Sequence, residues 1–142
     1  MVASRPTCDV LIVDDDRDCV EALRYLLEDR GYRVDIARNG LQALEYFESG
    51  GRPRIVILDL LMPVMDGLEF LNRRRENPVL AETPVIVLTA TDARLNTREE
   101  TVLRKPVDFG VLVEKIEEAC GPMPGRGSAR TGDESGSDLR RT

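Results

Sequence analysis

Four short runs of apolar residues, each followed by polar residues, limit how this chain can fold more than any other feature. The clearest run covers residues 55–58 and stops at Asp59. A continuous apolar run of this length is typical of a strand that is buried on both faces. Similar runs are residues 10–13, which precede Asp14, Asp15 and Asp16, and residues 85–88, which precede Thr89. The fourth, residues 101–104, has only Val102 and Leu103 as apolar residues and precedes Lys105 and Pro106. We therefore expect four strands that each end in polar side chains.

Apolar residues at helical spacing separate these runs and predict helices between the strands. The stripes are Val20, Leu23, Leu26 and Leu27; Leu41, Leu44 and Phe47; Leu68 and Leu71; and Phe109, Leu112, Val113 and Ile116. Residues 33–37 alternate polar and apolar side chains, which predicts a short edge strand. Because strands alternate with helices, we expect an α/β protein with a doubly wound, five-stranded parallel sheet and helices on both faces.

Polar side chains would gather at one edge of this sheet, where the carboxyl ends of parallel strands form a ligand-binding crevice. The strand ends supply the carboxylates of Asp14, Asp15 and Asp59, the hydroxyl of Thr89 and the ammonium of Lys105. Taken alone, each residue has an ordinary explanation, such as a helix cap or a surface charge. Together they suit Mg²⁺, which prefers carboxylate oxygens, and a phosphoryl group, which Lys and Thr can bind.

These residues resemble the response-regulator receiver domain of two-component signalling, over roughly residues 8 to 120. The resemblance rests on five motifs in the family's order along the chain: Val13-Asp14-Asp15, Asp59 followed by Met62-Pro63, Asp66-Gly67, Thr89-Ala90 and Lys105-Pro106. It implies a flavodoxin-like fold and a phosphorylation-activated response regulator, which signals by protein-protein contact and is not a turnover enzyme.

The resemblance also implies a role for each site residue. Asp59 would accept a phosphoryl group from a partner histidine kinase or phosphotransfer protein, Lys105 would pair with the phosphoryl oxygens, and Thr89 would turn inward to bond one of them. Asp15 would bind Mg²⁺, with Mn²⁺ as the alternative metal, and Asp14 would assist through water. Asp59 and the backbone carbonyl of Leu61 would complete the protein ligands. The Lys105-Pro106 bond is predicted to be cis, and Asp16 to cap the first helix.

Two departures from the family pattern lie near the last strand. Val102 stands where receivers usually carry an aromatic residue, three places before the Lys. Only fifteen residues separate Thr89 from Lys105, so the helix expected between residues 90 and 100, the family's fourth, should be short or missing. We therefore expect the sheet face beside Val87, Val102 and Leu103, together with the helix predicted at residues 107–119, to contact a partner or a second copy of the chain.

Composition narrows the alternatives. The chain has no His, which removes imidazole catalysis and metal ligation by His, and its net charge of −6 argues against direct binding of nucleic acid. Three Cys, at positions 8, 19 and 120, fit neither a disulfide framework nor a zinc site. No segment predicts a signal peptide or a membrane anchor, so we expect a cytoplasmic protein.

The predicted domain limits are a flexible N-terminus at residues 1–7, a receiver domain at 8–120, and a disordered tail at 121–142 that is rich in Gly, Pro, Ser and Arg. This arrangement predicts a stand-alone receiver. Three other classes of protein make different demands on the sequence. A nucleotide-binding domain would need a Gly-rich turn after the first strand, and an aspartyl-phosphate hydrolase would need a Thr soon after its acids. A pseudo-receiver that binds partners without phosphorylation remains the alternative, although it predicts loss of a site residue.

Overall fold

The computed structural model describes residues 6–59, 67–89 and 101–121. Strands and helices alternate along most of this chain. They are β1 (Cys8–Val13), α1 (Arg17–Asp29), β2 (Val34–Ala37), α2 (Gly40–Glu48), β3 (Pro53–Asp59), α3 (Gly67–Glu76), α4 (Pro78–Ala81), β4 (Val85–Thr89), β5 (Thr101–Arg104) and α5 (Phe109–Cys120). The predicted α/β fold is confirmed, and α4, a single helical turn before β4, was not predicted.

The five strands form one parallel sheet in the order β2-β1-β3-β4-β5. The central strands β1, β3 and β4 are buried throughout apart from one partly exposed residue, Arg54. Two-sided burial explains why these strands are continuous apolar runs. The edge position predicted for residues 33–37 is confirmed, because β2 pairs only with β1 among the described strands.

Side chains that alternate along the strands fill two cores, one on each face of the sheet. Val10 and Ile12 of β1 pack with the apolar sides of α1 and α5. Leu11 and Val13, the alternate residues, pack on the other face with α2 and α3. The sheet is therefore a rigid layer whose carboxyl edge lies between two packed helical layers.

Polar residues fix the ends of the helices, as expected for α1. The side chain of Asp16 accepts hydrogen bonds from the N–H groups of Asp18 and Cys19, which confirms its predicted role as the cap of α1. Gly31 follows the end of α1 with φ at 93°, a left-handed conformation that Gly adopts without strain. Asp108 caps α5 in the same way as Asp16 caps α1.

The helical stripes were partly wrong in detail. Leu26 is 38% exposed and Leu41 is 41% exposed, although both were predicted to face the core. Ala43 and Phe70 are buried in places that the stripes did not mark.

The sheet face that was expected to be partly bare is bare at only one of two strand residues. Val87 is fully buried, whereas Val102 is 41% exposed.

Arg74 is a buried cation that joins α3, α4 and the start of β4. Its guanidinium donates hydrogen bonds to the carbonyl of Thr83, from Nη2 at 2.8 Å, and to that of Ala81 at 3.1 Å. These contacts satisfy carbonyls after the short helix α4 that would otherwise lack partners.

Several predictions fall outside the described residues. They concern the Leu61 carbonyl, the helix expected between residues 90 and 100, and most of the two predicted terminal segments. Thr7 is described, and its N–H donates to the carbonyl of Arg52 at 2.8 Å. Among the helices of the described ranges, none combines the length and apolar character needed to cross a bilayer.

Candidate functional site

The register of the sheet brings the polar strand ends together. Val13 of β1 lies opposite Leu58 of β3, so the residues that follow them, Asp14 and Asp59, are neighbours at the carboxyl edge. Thr89 ends β4 and lies opposite Arg104 of β5. The N–H of Lys105 donates to the carbonyl of Thr89 at 2.8 Å, which fixes the backbone at Lys105.

Alternation along the strands explains which side chains meet. Asp14, Asp59 and Lys105 each follow, at a spacing of two, residues that pack on the α1 and α5 face of the sheet. Thr89 follows Val85 and Val87, which pack on the opposite face. The two carboxylates and the ammonium therefore share one side of the crevice, and the buried Thr89 enters from the other.

Lys105 is the cation at the centre of this group. Its Nζ lies 3.5 Å from Asp14 Oδ2 and 3.6 Å from Asp59 Oδ1, and its side chain is 23% exposed. Burial lowers the pKa of Lys105, but the negative charges of Asp14 and Asp59 more than offset this and hold the pKa above its usual value. The ammonium is therefore charged at neutral pH and links carboxylates from two strands.

Asp14 is buried with unequal surroundings for its two oxygens. Oδ1 accepts a hydrogen bond from the N–H of Asp16 at 2.9 Å. Oδ2 is buried and accepts no hydrogen bond within the described part of the chain. A buried carboxylate oxygen without a donor is costly, so this atom is suited to a cation.

Asp14, Asp15 and Asp59 together fit a divalent metal. Each offers one carboxylate oxygen, and the three oxygens lie within 4.8 Å of one another. Asp15 is exposed, whereas the other two are buried, so the group is open to solvent on one side. Oxygen ligands from a few carboxylates, with room for water, are the set that Mg²⁺ prefers.

Cys19 lies beside this group, in the first turn of α1, and was not among the predicted site residues. Burial and the nearby charge of Asp14 raise the pKa of its thiol to about 11. The thiol is thus neutral at physiological pH and packs against the core of the α1 face. Asp15 precedes Asp16, the cap of α1, so helical spacing gave no signal that would place Cys19 here.

The sequence-predicted site is thus largely assembled by the fold. Asp14, Asp15, Asp59 and Lys105 are brought together, and Thr89 is tied to Lys105 through the backbone. The Lys105-Pro106 bond is cis, as predicted.

Comparison with known proteins agrees with this geometry. The family model of the response regulator receiver domain matches residues 10–117. A Leptolyngbya boryana protein, named an uncharacterized 14.6 kDa protein in the sodA1 3′ region, is 38% identical over 122 residues, which are 82% of this chain and 92% of that protein. Response regulator MprA of Mycobacterium sp. (strain KMS) is 42% identical over 113 residues, 75% of this chain, and this chain spans about half (48%) of the length of that relative.

Solved structures give the same result. The receiver domain of a signal transduction histidine kinase from Syntrophus aciditrophicus superposes with a TM-score of 0.74 at 30% identity, over 93% of this chain and 100% of that one. The receiver domain of sensor histidine kinase PA1611 from Pseudomonas aeruginosa was solved with magnesium in its active-site cleft. It superposes with a TM-score of 0.71 at 26% identity, over 81% of this chain and 98% of that one. The chain therefore belongs to the response regulator receiver domains of two-component signalling.

Proposed function

We propose that Asp59 accepts a phosphoryl group from a phosphohistidine of a partner histidine kinase or phosphotransfer protein. The observation that carries this proposal is the placement of Lys105 between the carboxylates of Asp14 and Asp59, at 3.5 and 3.6 Å. A carboxylate at a strand end, with a fixed cation beside it and a further acid pair, has the parts that phosphoryl transfer to an aspartate needs.

In the transfer, a carboxylate oxygen of Asp59 attacks phosphorus while the bond from phosphorus to the imidazole nitrogen of the donor breaks, and the electron pair leaves with that nitrogen. Lys105 neutralises charge on the phosphoryl oxygens and keeps Asp59 oriented. Thr89 would donate its hydroxyl to one of those oxygens. Asp14, Asp15 and Asp59 would hold Mg²⁺, which supplies further neutralisation of phosphoryl charge. The magnesium in the cleft of the PA1611 receiver supports that assignment.

The signal would pass by contact with a downstream protein, and the chain would take up and slowly lose its own phosphoryl group without turnover of a substrate. The resemblance to MprA over about half of that protein supports the receiver function, but not the rest of MprA activity. A homodimer through a non-standard face and a cytoplasmic location stay predictions.

The test is an intact mass spectrum after incubation with acetyl phosphate, with and without Mg²⁺. Wild type should gain the mass of one phosphoryl group only when Mg²⁺ is present, because the acid cluster repels the donor until a cation is bound. Asp59→Asn should gain none. An unchanged mass for wild type at all Mg²⁺ concentrations would favour the pseudo-receiver, a binding module without phosphorylation.

A further inference from the structure

A cavity of about 250 Å³ lies between the end of α2 and the start of α4. Its lining includes Arg52, which directly precedes β3, so the cavity lies at the amino edge of the sheet, opposite the acid cluster. The apolar residues of the lining are Leu44, Phe47, Val79 and Leu80. Phe47 and Leu80 are buried, whereas Val79 is 41% exposed. The cavity therefore presents apolar surface that a small apolar side chain could cover.

Two charged side chains in this lining differ in how they are compensated. The Nη1 atom of Arg52 donates to the carbonyl of Phe47 at 3.0 Å and to that of Gly51 at 2.6 Å. Glu48 is exposed and forms no ion pair or side-chain hydrogen bond within the described ranges. The lining thus suits an occupant that combines an apolar side chain with a cation.

Near its start, the described chain passes beside this cavity. The N–H of Thr7 donates to the carbonyl of Arg52 at 2.8 Å, and the N–H of Arg52 donates to Thr7 Oγ1 at 2.9 Å. Thr7 Oγ1 also lies 2.8 Å from the hydroxyl of Tyr46, the neighbour of Phe47 in α2. Because Arg52 and Phe47 both line the cavity, the residues that precede Thr7 enter the fold at its rim.

Residues 1–5 combine the two properties that this lining suits. Residues 1–3 are apolar, and Arg5 is a cation. Pro6 favours an extended backbone at the residue before it. Five extended residues span at most about 18 Å, which is longer than a compact cavity of about 250 Å³ is wide. The apolar side chains can therefore reach the lining while Arg5 stays near the rim, where Glu48 lies.

We propose that the segment of residues 1–5 docks in this cavity, with Val2 against the apolar lining and Arg5 beside Glu48. Burial of apolar surface provides most of the stabilisation, because an exposed ion pair contributes little. The docked segment would cover Val79 and close this surface to other proteins. The proposal is independent of phosphoryl transfer, since the cavity and the acid cluster lie at opposite edges of the sheet.

Nuclear Overhauser effects in NMR spectra of wild type measure the contact directly. Cross-peaks should join the methyl protons of Val2 to the ring protons of Phe47. In a mixture of isotope-labelled and unlabelled chains, a filtered spectrum that selects contacts between chains should contain no such cross-peak. If the cross-peak appeared in the filtered spectrum alone, a second copy would be the occupant and the proposal would be wrong.

Two substitutions at Val2 test the apolar contact. Val2→Asp should lose the cross-peak, because a carboxylate is costly to place against apolar side chains. Its amide signals from the cavity lining should match those of a chain that lacks residues 1–5. Val2→Ile keeps the apolar character and should retain the cross-peak. Unchanged amide signals at Lys105 would show that the fold is intact in each variant.

A matched pair of substitutions in α2 tests the charge contact. Glu48→Gln should shift the amide signal of Arg5. Glu45→Gln removes an exposed acid of the same helix outside the lining, and it should leave that signal in place. Equal shifts from the two variants would remove Glu48 from the contact.

Two further results would overturn the docking as a whole. One is the absence of any cross-peak between residues 1–5 and the lining in wild type. The other is a set of lining signals that does not change when residues 1–5 are removed, since an occupied cavity must respond to the loss of its occupant. A different protein as the occupant would give both of these results.

Discussion

Lys105 Nζ lies 3.5 Å from Asp14 Oδ2, a buried oxygen that accepts no hydrogen bond among the described residues. The same ammonium lies 3.6 Å from Asp59 Oδ1. One cation thus compensates the carboxylate that follows β1 and the carboxylate that ends β3. That cation belongs to the residue that directly follows β5. The charge balance of the candidate site therefore depends on Lys105 until a metal or a phosphoryl group arrives.

The stabilisation that Lys105 provides should disappear at alkaline pH. An unfolded lysine has a pKa of about 10.4, and Asp14 and Asp59 hold the pKa of Lys105 above its usual value in the folded protein. Because the folded pKa is raised, the stabilisation is fully present below the unfolded pKa and is lost as pH rises through the folded pKa. Wild type should therefore be more stable than Lys105→Met at pH 7, and the difference should narrow above about pH 10.4.

Urea unfolding followed by circular dichroism, under reducing conditions, measures this difference across the pH range, since the chain has no Trp to report by fluorescence. Lys115→Met is the control, because Lys115 is the other lysine of the chain and pairs with Glu118 at 3.3 Å in an exposed position. The free energy of unfolding of Lys115→Met should lie within about 1 kcal/mol of that of wild type at pH 7. If the difference in the free energy of unfolding between wild type and Lys105→Met stayed constant up to pH 11.5, the result would contradict the assigned ion pairs.

Asp15→Ala should weaken Mg²⁺ binding by at least about tenfold and leave the fold intact. Asp15 contributes one of the three carboxylate oxygens, but it is exposed, so its removal opens no cavity in the core. NMR titration with Mg²⁺ gives the affinity, and a thermal unfolding curve gives the stability. Asp18→Ala removes an exposed acid of the same stretch that is outside the cluster, and it should bind Mg²⁺ as wild type does. Equal Mg²⁺ affinities for Asp15→Ala and Asp18→Ala would show that Asp15 does not bind the metal.

Arg74→Ala should lower the free energy of unfolding by about 2–4 kcal/mol, because it removes a buried side chain and leaves the carbonyls of Ala81 and Thr83 without their donors. Arg73→Ala is the matched control from the same helical turn. Arg73 is exposed and pairs with Glu69 at 3.3 Å, so its loss should cost less than about 0.5 kcal/mol. Denaturant unfolding of both variants measures this difference. Similar decreases in the free energy of unfolding would show that Arg74 does not join α3 to β4.

Much of the fold followed from the sequence because two-sided burial leaves a simple pattern. Residues 55–58 and 85–88 are continuous apolar runs, the pattern of strands that both layers cover, and their polar ends share the carboxyl edge. The helices were harder to place in detail. Leu26 and Leu41 fit a helical stripe but lie at its margin, where a shift of one residue separates buried from exposed side chains.

The site was predicted more completely than its surroundings. Asp14, Asp59 and Lys105 sit at strand ends, so parallel pairing alone brings them together. Arg74 is a buried cation in a run of three arginines, and no local pattern distinguishes it from its exposed neighbours. Arg38 lines a cavity of about 280 Å³ beside Asp14 and Asp15 only because β2 pairs with β1, a contact between distant parts of the chain.

The central claim is that Asp59 is the acceptor, and localisation of the phosphoryl group tests it most directly. After treatment with acetyl phosphate and Mg²⁺, wild type and Asp59→Asn are digested under conditions that preserve acyl phosphates, and the peptides are fragmented in a mass spectrometer. We expect one modified peptide from wild type, with the phosphoryl group on Asp59, and no modified peptide from the variant. A phosphoryl group on Asp14, Asp15 or any other residue of wild type, or one that survives in Asp59→Asn, would contradict the claim.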